Sequence, residues 1–459
     1  MSGPKCGNEF PIHPSWLNSN VHIFVCHSLL ISAECDGPGV MQSAGVIHVG
    51  TSLRIGMLIA HRFANYCIES FAAAIPFRQI ELMTGATTVY RRDHRVDFLR
   101  GLALATIFIN HVPGNFYEKW TPKNFGFSDA AEIFVILAGF ASAYAYFARF
   151  ERGEIWDATV KAWRRAGVLY VSHLVTSVIG IAVFCFAMLY FMNPGYLDDT
   201  IVYMDIKPLM DDPVRGFLGL ATLSHQLGYF NILPMYMTLL IMLPAMMVLA
   251  RLGLGLLFAV SVTLWLLAGI FALDLPNFPM PGGWFFNPFA WQLLFVVGLI
   301  LGQRQREEKP IPYSGWLFGL AGLYLVLAYW WVPFDWLINF SGIKLPAPIW
   351  SFDKGFVAWP RLLHVLALGY VVMMSPLGRI MHRIPKSSFL TAMGRHSLPI
   401  FCVGSLLSMT GAVIRHEWGG SFALDTLIVV TGLMLMGLLA HFLDGRKPMP
   451  EPAPRRAAT

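Results

Sequence analysis

Charged residues are scarce in this chain. Of its 459 residues, 13% are charged and 56% are hydrophobic, whereas soluble domains carry roughly 25% charged residues. This shortage of charge excludes an ordinary soluble domain and indicates a polytopic membrane protein. The 14 tryptophans agree with that class, because Trp is enriched at the two membrane–water interfaces.

Cysteine is also scarce, with six residues in the whole chain. Four of them precede residue 70, and the other two lie in apolar runs where packing explains them: Cys6, Cys26, Cys35, Cys67, Cys185 and Cys402. Neither a disulfide framework nor a zinc site is predicted. We expect no metal and no bound cofactor.

Several functional motifs are absent. The chain has no Walker loop, no dinucleotide-binding glycine fingerprint, no GxSxG elbow and no HExxH. The formal net charge is +6, but Lys and Arg are scattered through short loops and form no basic stripe. Primary pumps, zinc proteases and nucleic-acid binding are therefore not expected.

Apolar runs recur from residue 91 onward and predict an all-α protein with about ten transmembrane helices. We assign residues 91–445 to this membrane domain and residues 446–459 to a tail. The predicted helices centre near 96–112, 129–149, 166–191, 229–250, 254–273, 288–303, 314–332, 361–377, 390–413 and 422–443.

The alternation of basic loops orients these helices. Lys and Arg concentrate in every second connection, at Arg91–Arg95, Arg149–Arg165, Arg251, Arg304–Lys309, Arg379–Arg395 and Arg446–Arg456. By the positive-inside rule, we expect both termini to be cytoplasmic. The intervening outer loops are rich in Trp, Pro, Asn, Asp and Gly, a composition that suits a polar carbohydrate. Interfacial aromatic belts are the alternative explanation.

Residues 1–90 differ from the rest of the chain. They have mixed polarity and no confident span, since His48, Arg54, His61 and Glu69 interrupt the most apolar run. We interpret them as an N-terminal extension. One explanation is a start codon assigned too early, with Met83 as the true start; the other is a real extension.

Arg100 and His111 lie in the otherwise apolar first helix. They are eleven residues apart, which is about 20° past three full turns and roughly 16 Å of rise. Both therefore share one helix face, and ionisable groups in a membrane segment usually line a functional cleft. The alternative is that Arg100 is a snorkelling anchor and His111 an interfacial histidine.

Asp129 and Glu132 begin the second helix and are neighbours on one face. Either carboxylate could orient the imidazole of His111 or pair with it. A plain capping pair is the alternative. A histidine, a carboxylate and a deeper arginine suit acyl transfer to a hydroxyl, because the imidazole can take the proton while the guanidinium holds an anionic donor or the oxyanion.

Further polar residues are candidates for binding. Those considered for the acceptor are Asp97, Asn110, Asn115, His225, Asn287 and Gln292. Those considered for the phosphates of a donor are Arg164, Arg165 and Arg395. Satisfied helix termini and topology-determining charges are the respective alternatives.

The first two helices resemble a known family. The segment RDHRVDFLRGLALATIFINHVPGNFYEKWTPKNFGFSDAAEIFVILAGFASAYAY is similar to the OpgC family, which is linked to succinylation of osmoregulated periplasmic glucans. That family resembles the acyltransferase type three superfamily, whose first helix carries Arg, ten residues and His, as Arg100 and His111 do here. The phrase Ile133 to Phe140, IFVILAGF, matches a second-helix phrase, although Ala138 replaces its usual serine.

The resemblance implies a ten-helix fold, with general similarity over roughly residues 91–445. It also implies a transferase that moves an acyl group from cytoplasmic acyl-CoA to an envelope carbohydrate, with His111 as catalytic base and Arg100 in contact with the donor. Membrane acetyltransferases related to the heparan glucosaminide enzyme share Asp97, Arg100 and Gly101. The residues that follow His111 fit the OpgC family better.

Taken with the resemblance, the sequence predicts an O-acyltransferase of the bacterial inner membrane that moves a succinyl or another short acyl group from acyl-CoA to a periplasmic glucan or related glycan. The alternative is a transporter or flippase whose intramembrane Arg and His form a substrate or proton path. No internal repeat and no matched pair of broken helices is visible, which favours the enzyme.

Overall fold

The computed structural model describes residues 93–192, 205–331 and 352–445. These residues form helices and connecting loops, with one isolated β-bridge between Pro276 and Gly283, so the all-α prediction is confirmed for this part of the chain. The predicted extension, with Met83 as its possible start, and the tail at 446–459 lie outside the described residues.

The described helices are numbered in chain order. They are α1 (His94–Asn110), α2 (Ala130–Glu151), α3 (Ile155–Phe191), α4 (Lys207–Asp211), α5 (Pro213–Ala221), α6 (Ile232–Leu252), α7 (Leu254–Phe271), α8 (Pro288–Arg306), α9 (Gly315–Trp331), α10 (Trp359–Met374), α11 (Pro376–Met381), α12 (Phe389–Arg395), α13 (Ser397–Trp418) and α14 (Phe422–Gly445). A π-helical turn, Ala143–Phe147, lies within α2.

Helices occupy all ten predicted segments. Six helical segments of the described chain are long and apolar enough to cross a membrane: α2, α3, Gly228–Leu252 (which includes α6), α7, α13 and α14. Two more, α9 and α10, are apolar but shorter. Ten bilayer crossings and cytoplasmic termini stay predictions.

The third helix begins earlier than expected. It runs for 37 residues from Ile155, whereas the sequence predicted a start near residue 166. A helix of this length extends roughly 56 Å, well beyond the roughly 30 Å of the hydrocarbon core. Its first turns, which include the exposed Trp156 and Arg164, therefore extend past the apolar layer.

The predicted helix at 390–413 is wrong as a single element. The chain breaks at His396, between α12 and α13. Pro399 explains the break, because its ring has no N–H and would clash with the carbonyl four residues back in a continuous helix. Proline is tolerated in the first turn, so the new helix begins at Ser397.

The core of the bundle lies around α8. Trp291, Leu294 and Phe295 on this helix are fully buried, and they belong to one apolar cluster with Phe108 of α1 and Met235 of α6. A second, smaller cluster includes Phe184, Phe230 and Met409. The site described below lies at the ends of helices that this core holds in place.

Glycines let α2 and α8 approach closely. A Cβ added at Gly139 would collide with the backbone oxygen of Phe295, and one added at Gly298 would collide with that of Ile136. Small residues of this kind are typical of helix contacts in membranes, where association depends on close packing. The same contact holds the N-terminus of α2, which carries Asp129, against the core.

We expect Gly298→Ala to destabilise the protein by about 1–3 kcal/mol, because the added methyl group overpacks a backbone contact. The measurement is thermal unfolding of the purified protein in detergent. Gly319→Ala is the matched control, since nothing lies within 4 Å of a Cβ there. Equal melting temperatures for the two variants would contradict the packing role.

Candidate active site

His111 is the C-cap of α1. Its backbone N–H donates to the carbonyl of Ile107 at 3.0 Å, and its ring stacks on Tyr229 with centroids 3.9 Å apart and planes 12° from parallel. Tyr229 lies in the 3₁₀ turn Gly228–Phe230, just before α6. Nδ1 of His111 is buried and has no hydrogen-bond partner within the described ranges. Stacking therefore fixes the ring and leaves this nitrogen available.

Arg100 lies on the same helix. Its Nη2 donates to the backbone carbonyl of Leu137 on α2 at 3.0 Å. All residues between Arg100 and Asn110 are helical, so the expected rise of roughly 16 Å between Arg100 and His111 applies. The guanidinium is turned into the bundle towards α2.

We expect Tyr229→Leu to lower kcat/KM for the acyl transfer that the sequence analysis predicts about five- to tenfold, because an aromatic stack contributes about 0.5–1.5 kcal/mol beyond burial. Tyr229→Phe retains the ring and is the matched control. Steady-state kinetics of both variants make the test. A Phe variant as slow as the Leu variant would show that the phenol hydroxyl matters rather than the stack.

Asp129 and Glu132 form a capping box at the start of α2. The Asp129 carboxylate accepts from the backbone N–H of Ala131 at 2.8 Å, and the Glu132 carboxylate accepts from the backbone N–H of Asp129 at 3.0 Å. The capping that the sequence analysis considered for this pair is thus present in the structure. It satisfies backbone donors that a helix N-terminus leaves open.

Two cations complete this cluster. Lys354 donates to Asp129, and Nε of Arg361 donates to Glu132 at 2.8 Å, while Nη2 of Arg361 lies 3.9 Å from Asp129. Burial by itself raises the pKa of Asp129, but Lys354, Arg361 and the hydrogen bond with Glu132 together outweigh it and hold that pKa well below its usual range. Glu132 is fully buried. Paired charges of this kind fix geometry more than they add stability.

Trp291 and Phe286 position Lys354. The indole Nε1 of Trp291 donates to the carbonyls of Lys354 and Gly355, both at 3.1 Å, and the Lys354 ammonium lies 5.6 Å from the ring centre of Phe286. The buried start of α8 therefore holds the loop that carries this lysine.

The charged cluster lies near His111. Asp129, Lys354 and Lys123 act on the imidazole electrostatically. In the described part of the chain, Asp129 and Glu132 hydrogen-bond to backbone N–H groups and to cations, and neither accepts a hydrogen bond from His111. Their predicted action on His111 is thus through charge, and it stays a prediction.

Three amides proposed for acceptor binding have structural partners. Asn115 caps the 3₁₀ turn Phe116–Trp120, and Asn287 caps α8. Gln292 accepts from the hydroxyl of Ser261 on α7 at 2.7 Å. All three side chains are buried. Contact with an acceptor stays a prediction for each of them.

The other acceptor candidates lie apart from one another. Asn110 accepts from the hydroxyl of Thr121 at 2.6 Å, close to His111 in the chain. The ring of His225 contacts the carbonyl of Asp205 at 2.9 Å, and burial lowers its pKa. Asp97 is buried in α1, where α12 packs closely.

The structure separates the three donor candidates. Arg165 lines a cavity formed with residues of α2, α3, α6 and α13, and it makes no hydrogen bond or ion pair to any described residue. Arg395 pairs with Asp444, and Arg164 is exposed on α3. The remaining cavity residues are Phe134, Leu169, Ile232, Leu233, Tyr236, Ser397, Leu398 and Phe401.

The residues missed by the sequence are Tyr229, Lys354 and Arg361. Lys354 and Asp129 are 225 residues apart in the chain, and no motif marks either cation. Within residues 93–192, 205–331 and 352–445, no three His, Cys, Asp or Glu side chains lie together in a group that could hold a metal ion.

The fold and the site define a class: a helical membrane protein with a half-buried arginine, an available imidazole and an ionic cluster at one helix end. A family model described as OpgC protein matches residues 92–447, and the chain belongs to the OpgC family. No curated protein matches the chain. Membership suggests a membrane acyltransferase-like function and fits a multi-pass membrane protein.

Proposed function

We propose that the protein transfers an acyl group, foremost succinyl, from cytoplasmic acyl-CoA to a hydroxyl of a periplasmic glucan or related envelope glycan. It does so in the bacterial inner membrane. Family membership supports acyl transfer. The observation that carries the site assignment is His111, whose unpartnered Nδ1 lies beside Tyr229 at the end of the helix that holds Arg100.

His111 acts as the general base in this proposal. It takes the proton of the sugar hydroxyl as the oxygen attacks the thioester carbonyl, a C–O bond forms, the C–S bond breaks, and the departing thiolate takes the proton from the imidazolium. A thioester is already activated, so the reaction needs no metal. The negative charge of Asp129 and the positive charge of Lys354 both act on the His111 imidazole, and their effects largely offset each other.

The acceptor approaches from the loop between α1 and α2. This loop follows His111 directly and exposes three aromatic side chains, Phe116 (40%), Trp120 (69%) and Phe125 (40%). Exposed aromatic faces suit stacking against sugar rings. A carbohydrate held on this loop would place a hydroxyl next to the imidazole.

The donor approaches from the opposite side through the cavity that Arg165 lines. Its other walls are mostly apolar, with a hydroxyl from Ser397 and a phenol from Tyr236. A guanidinium in such a cavity suits the anionic phosphates of coenzyme A. Arg100 lies on α1 between this side and His111, where it stabilises the donor carbonyl.

The test is a reaction of the purified protein in liposomes with succinyl-CoA and a linear glucan. We expect the glucan to gain the mass of one succinyl group and free coenzyme A to appear in equal amount. Glucans from a deletion strain should regain the same mass increment when the wild-type chain is supplied. Movement of glucan across the liposome without a covalent mark would favour the transporter instead.

A further inference from the structure

The contact between α3 and α13 contains buried polar groups that the proposed chemistry does not use. Three pairs show which faces meet: Leu169 and Leu398 line one cavity, Thr176 interacts with Cys402, and Gly180 packs against Met409. Residue numbers increase together in these pairs, so α3 and α13 run in the same direction. One face of each helix therefore follows the other from the cavity outward. We call this contact the α3–α13 seam.

Three side chains on the seam lack partners. Both ring nitrogens of His173, the hydroxyl of Ser177 and the hydroxyl of Ser405 are buried, and no described residue meets hydrogen-bond geometry with any of them. The backbone of Phe230 interacts only weakly with the His173 ring. The three residues are 0%, 0% and 3% exposed, respectively. A buried polar group without a partner costs about 1–3 kcal/mol, and a membrane interior offers no water to replace it. Four such atoms on one seam indicate a site for a polar ligand.

Helix geometry places these groups together. His173 and Ser177 are four residues apart and so share a face of α3. Ser405 lies between Cys402 and Met409 on the stripe of α13 that faces them. The four unpartnered atoms thus belong to one locality.

The seam leads from the cavity towards the catalytic histidine. His173 is two turns beyond Arg165, roughly 12 Å along α3, and the backbone of Phe230 acts on its ring. Phe230 follows Tyr229, whose ring stacks on His111. A ligand between His173 and Ser405 would therefore lie between Arg165, at the cavity end of the seam, and His111, at the other end.

The chemistry of the groups indicates the kind of ligand. An imidazole and two hydroxyls offer neutral donors and acceptors, while the nearest cavity residue with a charge is Arg165. A ligand that fits would place an anionic head near Arg165 and a neutral arm of amides and hydroxyls along His173, Ser177 and Ser405. Relying on the proposed function, we propose that His173, Ser177 and Ser405 bind the amide-containing arm of the coenzyme A thioester.

The seam is closed in the structure, because its polar side chains are at most 3% exposed. Binding of the arm thus requires α3 and α13 to part locally. Cys402 is a native reporter of this change, since it lies on the seam beside Thr176.

The kinetic test uses His173→Leu with two donors, succinyl-CoA and the succinyl thioester of ethanethiol, which has no amide. We expect KM for succinyl-CoA to rise about tenfold, as loss of about one to two hydrogen bonds predicts, with kcat nearly unchanged. The kinetics with the ethanethiol ester should stay as in wild type. His173→Gln should recover part of the affinity.

Ser408→Ala is the matched control, because the Ser408 hydroxyl already donates to the carbonyl of Ser405 at 2.8 Å. It should leave both donors unaffected. An unchanged KM in His173→Leu would overturn the proposal, as would equal losses with both donors. A lower kcat with a displaced pH profile would also overturn it, in favour of a proton path.

A second readout does not depend on turnover. S-ethyl-coenzyme A, a thioether with no free thiol to consume the reagent, should slow alkylation of Cys402 by a small membrane-permeant maleimide in the wild-type chain, followed by peptide mass spectrometry. Cys185 in the same digest is the control. If wild type transfers no acyl group yet Cys402 is protected, the proposed function fails and the seam still binds the arm. If the enzyme is active but Cys402 is not protected, the proposal that the seam binds the arm is wrong, while the proposed acyl transfer stands.

Discussion

His111→Ala should abolish acyl transfer, with kcat lower by about 10²–10⁴, while the protein stays in the membrane at wild-type abundance. The reason is that the variant removes the one group in the proposal that accepts the hydroxyl proton. The packing loss is limited, since the ring is only partly buried. The measurement is the succinyl increment on glucan per mole of protein, with succinyl-CoA in excess.

The control for this result is His416→Ala. His416 is an exposed histidine in the last turn of α13, so its loss removes an imidazole without touching the site. Equal activity of His111→Ala and wild type, at equal abundance, would end the assignment of His111 as base. Imidazole added to the buffer should restore part of the activity only in His111→Ala.

Local sequence patterns predicted the first two helices of the site well. The spacing of Arg100 and His111 depends only on helix geometry, and the cap formed by Asp129 and Glu132 depends on contacts three residues apart. Such short-range interactions are determined by the residues of the segment itself. Both predictions therefore needed no knowledge of the tertiary structure.

Contacts between distant segments could not be predicted in this way. Tyr229 reaches His111 from the start of α6, and Lys354 and Arg361 reach α2 from beyond a long connection. In the sequence these residues look like an interfacial aromatic and ordinary loop cations. The packing of α8 holds the loop around Lys354 in place through Trp291, a contact between segments far apart in the chain.

The buried polar residues show a different limit. Asn287 and Gln292 are candidates for sugar binding in the sequence, and the fold also uses them to cap α8 and to join it to α7. His173 is unremarkable in an apolar sequence, yet the structure leaves both of its nitrogens without partners. Whether a polar group is satisfied depends on its neighbours in space, which a single sequence does not show.

Arg100→Met should lower kcat/KM about 10²–10³-fold, the typical cost of removing one preorganised donor from a developing oxyanion. Methionine is long and unbranched, so it retains much of the apolar stem and removes the charge. Arg100→Lys should recover part of the activity, because it restores the charge but not the planar fork. The readout is initial rate against succinyl-CoA concentration.

Arg251→Met is the matched control, since Arg251 is exposed in the last turn of α6. The comparison separates two roles of Arg100. A residue that only anchors α1 at the interface would be replaced fully by lysine, and its loss would change insertion rather than rate. The hydrogen bond from Arg100 to the carbonyl of Leu137 favours the other role, because it directs the guanidinium between α1 and α2. Full activity in Arg100→Lys would therefore count against donor stabilisation, whereas a partial loss at normal abundance would place Arg100 in the reaction.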